Sequence, residues 1–240
     1  IFGKWHLGDV YPYRPQDRGF TKAIWYASSH ISAAPDYWNN DYFDPHFRIE
    51  DGTVKQFKGY CTDVLFDEAM AWMGERAKAH EPFFAYLPLN AAHGPRYVPD
   101  KYREPYRTLD RSVASFFGMI ANIDENVGRL EKMLQQAGVR DDTVVIFMTD
   151  NGGTTGVNVF NAGMKGGKTT LWEGGHRVPC FIRWPAGRLG EPRDVKEPAQ
   201  IQDLLPTLVE LCELKAPSDL KCDGVNLASL LRGERSHLDD

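Results

Sequence analysis

Apolar residues recur along this chain in two rhythms, and each predicts a different element. Thr143 to Met148 (TVVIFM) is a nearly unbroken apolar run rich in β-branched residues, the pattern of a strand buried on both faces of a mostly parallel sheet. Phe83 to Leu89 (FFAYLPL), following Pro82, and Val178 to Trp184 (VPCFIRW) read the same way, with a shorter strand at Lys22 to Ala27. Ile1 to Gly8 looks like the end of a strand breaking into a loop. Arg48 to Phe57 alternates about Asp51-Gly52, a hairpin signal. Helical spacing appears from Thr62, a candidate cap, to about Ala79, with Leu65, Ala69, Trp72 and Met73 on one face. A longer helix begins at a Ser112 cap, carries Val113, Phe116, Ile120, Ile123, Val127, Leu130 and Leu134 as its apolar stripe, and stops at Gly138. Asp124 and Glu125 on it read as a solvated face. Asp203 to Leu211 predicts another helix, and Asp223 to Gly233 a turn with a short one. The fold class predicted is α/β, a mostly parallel sheet sandwiched by helices.

Chemistry gathers where the predicted strands end, as it does in open α/β sheets. The Thr143 strand runs into Thr149-Asp150-Asn151-Gly152-Gly153. Asp150 offers a hard anionic oxygen and Asn151 a neutral carbonyl oxygen, a pair suited to Ca²⁺ or Mg²⁺, though the same letters also spell an ordinary turn. Nine of the 22 glycines lie between Gly152 and Gly187, so this backbone must turn tightly or approach something closely. Lys165 and Lys168 sit within that loop, where they can meet an anion. His93 follows the end of the Phe83 strand and is a candidate proton donor beside an anion site, or a structural histidine. Lys4 and His6, two apart, share a side of an extended segment, or are a surface lysine and a packed histidine. From Asp9 to Phe57 the loops carry Trp25, Tyr26, Tyr37, Trp38, Tyr42 and Phe43, whose preferred role is packing the loops down rather than lining a cleft.

Composition narrows the partners. Of 240 residues, 42% are hydrophobic and 25% charged, and the net charge of -5 gives no basic footprint for nucleic acid. No apolar stretch is long enough to span a bilayer. Cys61, Cys180, Cys212 and Cys222 form no Cys-x-x-Cys pair; Cys212 and Cys222 are either bridged or buried thiols, the second preferred. Oligomeric state is not legible.

The motifs, in order, resemble the sulfatase family (arylsulfatase type) of the alkaline-phosphatase-like superfamily. GKWHLG at Gly3 to Gly8 is similar to a family signature carrying an active-site Lys and His. NAAHGP at Asn90 to Pro95 resembles an Asn-x-Pro-His-x-Pro segment, and TDNGG a metal-binding Asp-Asn. GGKTTLWEGGHRVP at Gly166 to Pro179 resembles the sulfate-binding lysine loop. Asp203-Leu204-Leu205-Pro206-Thr207 and Asp223-Gly224 match the usual run-out. The resemblance implies that Lys4 and His6 contact the nucleophile and the sulfate oxygens, and that His93 lies near the leaving ester oxygen. It also implies that Asp150 and Asn151 hold Ca²⁺ in preference to Mg²⁺. Lys168, five positions before Glu173, takes the sulfate-binding place rather than Lys165.

The family's nucleophile, a formylglycine made in a Cys/Ser-x-Pro/Ala-x-Arg motif, and its Asp-Asp metal pair have no counterpart in these residues. The resemblance places both upstream, so residues 1–240 are expected to be part of a sulfatase catalytic domain, inactive alone, with N-terminal strands and most of a C-terminal subdomain missing. The implied activity of the full-length protein is sulfuric ester hydrolysis of a sulfated small molecule or glycan. A periplasmic, extracellular or lysosomal setting is implied with it. A phosphomonoester or phosphonate-ester hydrolase and a non-catalytic sulfate- or glycan-binding descendant are the alternatives.

Overall fold

The computed structural model describes residues 1–238 and divides into two compact units. The first comprises Ile1–Val139 and Thr149–Val178; the second comprises Arg140–Met148 and the chain from Pro179 onward.

The first unit is built on a four-stranded mixed sheet in the order β1 (Phe2–Lys4), β2 (Ile24–Tyr26), β3 (His46–Ile49), β4 (Val54–Gln56). Only β1 and β2 run parallel, pairing Phe2 with Ile24 and Lys4 with Tyr26. β2–β3 and β3–β4 are antiparallel, the latter as the hairpin expected around Asp51-Gly52. The predominantly parallel sheet expected from the sequence is therefore not what the described strands form.

One reason is local. Residues 83–89 do run alongside β1 in the parallel sense, the Tyr86 and Pro88 carbonyls accepting from the Phe2 and Lys4 amides at 2.9 and 2.7 Å. A parallel ladder would be completed by an amide on residue 88, and a proline has none. Gly3 permits the close approach, since a Cβ there would stand 2.1 Å from the Pro88 carbonyl oxygen. The run is buried on one face only: Phe83, Ala85, Leu87 and Leu89 pack on the core, while Phe84 is 67% exposed.

That core lies between the sheet and α1 (Cys61–Lys78), joining Phe2, Ile24, Tyr26 and Phe47 to Val64, Leu65, Ala69 and Met73. Trp25, on the opposite sheet face, is fully buried with Ile1, Ala23 and Ala27. Trp25, Tyr26 and Tyr42 thus pack the structure down as expected, whereas Tyr37 and Trp38 are exposed. The start of α1 is capped by no side chain: Tyr60 holds the N-cap position and Thr62 is already inside the helix.

α2 (Asp100–Arg103) leads to α3 (Arg111–Gln136). Its cap is Asp110, not Ser112: the Asp110 carboxylate accepts from the Ser112 and Val113 amides. The buried face of α3 also differs from the expected stripe. Ala114, Ser115, Gly118, Met119, Asn122, Asn126 and Leu134 are buried, whereas Ile120 is exposed. Small residues allow close approach, and the two buried asparagines donate to α1, whose Asp63 Oδ1 accepts from both Nδ2 groups at 2.7 Å. Asp124 and Glu125 are exposed, as expected.

In the second unit β5 (Val145–Met148) pairs antiparallel with β6 (Cys180–Arg183), Phe147 against Phe181. Both phenylalanines are exposed, so this is not a strand buried on both faces. α5 (Leu204–Leu211; α4 belongs to the first unit and is described with the site) and α6 (Ala228–Arg232) follow. Asp203 is buried and accepts from the Gln200 and Val225 amides, while Thr207 Oγ1 accepts from Leu227, so the DLLPT segment clamps the following turn. Cys212 and Cys222 are free thiols and exposed, neither bridged nor buried.

Candidate functional site

The sequence-selected residues all fall in the first unit. Lys4 closes β1 with its side chain half-buried, and among the described residues no ion pair or side-chain hydrogen bond engages its ammonium. His6 lies beyond the strand. Its φ of 54° is left-handed, so alternation along an extended segment does not place it beside Lys4. The ring is exposed.

His93 sits on the loop after the 83–89 run, its amide donating to the Asn90 carbonyl at 2.9 Å. His93 Nδ1 is 2.7 Å from the Gly94 carbonyl oxygen. A carbonyl only accepts, so Nδ1 carries hydrogen and Nε2 is the nitrogen left for a ligand. Against this ring lies one the sequence did not single out: His30, stacked at 5.3 Å between centroids with a 20° interplanar angle. Burial, then the nearby His93 and Lys4, hold His30 below the ordinary histidine range, with Asp36 opposing. A histidine in an aromatic loop, 63 residues before its partner, leaves no periodic signal that could have found it.

Asp150 and Asn151 begin a glycine-rich loop that folds back on itself through α4 (Glu173–His176). Gly152 donates to the Gly175 carbonyl at 3.0 Å and Lys168 to the Gly153 carbonyl at 3.0 Å. Glycine is required at this crossing: a Cβ on Gly152 would stand 1.7 Å from the Gly174 carbonyl oxygen. These bonds attach the lysine loop to the Asp-Asn turn. The two lysines are then differentiated. Lys165 Nζ lies over the Trp172 ring at 3.5 Å, while the half-buried Lys168 has no side-chain partner among the described residues.

The Asp150 carboxylate is exposed and receives no hydrogen bond from the described residues; with burial as the larger cause, its charge pushes the Tyr86 hydroxyl above the usual tyrosine range. Asn151 Nδ2 donates to the Gly152 carbonyl at 3.0 Å, leaving Oδ1 for another donor or a cation. In kind, these two oxygens fit a hard divalent ion. In number they are only part of a shell, and no group of three His, Cys, Asp or Glu converges among the described residues.

Tyr86 therefore feels Asp150 while its carbonyl holds Phe2 of β1, and Lys4 bears on His30, which stacks on His93. No hydrogen bond directly joins Lys4, His6, His93 and Lys168 to one another.

The family model for Sulfatase matches residues 1–214. The chain belongs to the sulfatase family. It is 29% identical over 226 residues to the uncharacterized sulfatase YdeN of Escherichia coli K12, covering 93% of this chain and 38% of that protein. To human N-acetylgalactosamine-6-sulfatase it is 29% identical over 249 residues, 97% of this chain and 46% of the relative. Among solved structures, the crystal structure of Ps i-CgsB in complex with k-i-k-neocarrahexaose superposes with a TM-score of 0.86 at 26% identity. That match covers 99% of this chain and 56% of the other. This sulfatase-family chain thus spans less than half the length of these two curated relatives. No helix among its described residues is long and apolar enough to cross a membrane.

Proposed function

We propose that the whole protein hydrolyses sulfate monoesters of a carbohydrate, and that Lys168 is the residue of this chain that holds the sulfate. One observation carries the assignment: the Lys168 amide is bonded to Gly153, beside Asp150 and Asn151, while its ammonium has no carboxylate or aromatic partner among the described residues. An unneutralised lysine on a rigid backbone is suited to an anionic group. Lys4 adds a second half-buried ammonium with no carboxylate partner among the described residues, and His6 a further donor.

In this reading the lysines orient sulfate oxygens, and His93 Nε2, protonated, gives its proton to the bridging oxygen as the alcohol departs. Asp150 and Asn151 would contribute oxygens to a Ca²⁺ site, the ion supplying positive charge toward the sulfate. A formylglycine from outside these residues would supply the attacking hydroxyl. A carbohydrate substrate is supported by the names of relatives: one sulfatase acts on N-acetylgalactosamine 6-sulfate, and one structural neighbour holds a neocarrahexaose.

The test compares Lys168→Ala with Lys165→Ala in the complete enzyme on a sulfated monosaccharide. Lys168→Ala is expected to lower kcat/KM by about 10²- to 10³-fold, the size of losing one oxyanion donor, and Lys165→Ala by less than about tenfold. The reverse order would reject the assignment.

A further inference from the structure

We propose that His30 is a positioning residue that fixes the plane of the His93 imidazole. The inference rests on the reading of His93 as the proton donor, and it starts from the stacked pair at 5.3 Å and 20°.

The two rings are brought together by one buried residue. Asn90, 2% exposed, accepts from the Ile31 amide through Oδ1 at 3.1 Å and from the His93 amide through its backbone carbonyl at 2.9 Å. The backbones next to His30 and at His93 are thereby held to the same side chain and main chain. His30 is fixed further from its own side: the fully buried Ser28 donates through Oγ to the His30 carbonyl at 2.6 Å, and Ser29 Oγ lies 3.0 Å from His30 Nδ1.

His93, in contrast, is exposed, and among the described residues its ring makes a single polar contact, to the adjacent Gly94. A proton donor must hold its nitrogen within about 3 Å of the leaving oxygen, and a rotated ring loses that reach. A flat neighbour across the ring face restricts the rotation. His30 suits the task because burial, then the nearby His93 and Lys4, lower its proton affinity, and a ring less ready to take a proton tolerates an imidazolium stacked on it better than a second cation would. The role is one of shape: the face of His30 is used, and its Nδ1 is occupied by Ser29.

Two substitutions separate face from nitrogen. His30→Phe keeps a flat ring and loses the Ser29 contact; His30→Gln keeps a hydrogen-bonding group and loses the ring. In the complete enzyme acting on a sulfated monosaccharide, His30→Gln is expected to lower kcat about tenfold with KM changed less than about twofold, and His30→Phe to stay within about threefold of wild type. In parallel, NMR of the same proteins should show the His93 ring-proton resonances displaced in His30→Gln, where the ring current is gone, and near their wild-type positions in His30→Phe. Gln outperforming Phe, or the two behaving alike in kcat and in the His93 resonances, would overturn the proposal. A wild-type enzyme without sulfate turnover would instead reject the function proposed above, and the resonances alone would then decide whether His30 fixes the His93 ring.

Discussion

Lys165 and Lys168 are three positions apart on one loop, yet Lys165 is held over the Trp172 indole, whereas the Lys168 ammonium has no partner among the described residues. The sequence singles out both, and the resemblance prefers Lys168; the indole supplies a physical reason for that preference. Asp150 and Asn151 stand out in the sequence as hard oxygens after an apolar run, and in the structure the Asp150 carboxylate is exposed and Asn151 keeps its Oδ1 for another donor or a cation. His30 was not legible in the sequence, because its significance comes from a ring contact across 63 residues of chain. Its surroundings make a stability prediction. Burial, then the facing His93 and Lys4, lower the proton affinity of His30 in the folded state, with Asp36 opposing. As the pH falls below the ordinary value of 6.5, the unfolded chain takes this proton first, so the stabilisation present above that value is lost toward acid. Urea midpoints at about pH 7.5 and about pH 5.5 should therefore differ less in His30→Phe than in wild type. An equal or larger difference in the variant would contradict this.

Among the elements, α3 shows where periodicity succeeds and where it fails. The long helix is evident from its spacing, but the expected apolar stripe is not its most buried face. Helix packing here relies on Gly118 and on Asn122 and Asn126, which no hydrophobic pattern would rank as core. The Phe83–Leu89 run is legible as extended, but Pro88 denies it a regular ladder. Asp63 is a polar link between α1 and α3, its Oδ1 shared by two buried amides beside the Asp67–Arg129 pair. Asp63→Ala removes the acceptor of Asn122 Nδ2 and one of the two acceptors of Asn126 Nδ2, which also donates to the Asn122 carbonyl at 2.9 Å, and should destabilise the fold by about 2 kcal/mol, with Asp63→Asn costing about half as much. Urea unfolding of the two variants measures this, and a loss below about 0.5 kcal/mol in Asp63→Ala would show that α1 and α3 hold together without it.

For the molecule as a whole, four short motifs in order carried the family reading, and the family model covers residues 1–214. The mixed sheet did not follow from the strand patterns, because an apolar run specifies burial and leaves strand direction open. The cation reading has a thermodynamic consequence that does not depend on turnover. Ca²⁺ binding only to the folded state raises stability by mass action, so millimolar Ca²⁺ should raise the Tm of the complete enzyme and a chelator should reverse it. Asp150→Ala should abolish the response; a Tm indifferent to Ca²⁺ in wild type would remove the ion from the account. The central claim, that the strand-end loops serve sulfate ester cleavage, is tested most directly by giving the complete enzyme the sulfate and phosphate monoesters of one sugar alcohol. Sulfate release should exceed phosphate release by at least about a hundredfold in kcat/KM, and Lys168→Ala should remove most of that advantage. Equal or faster release of phosphate would contradict it.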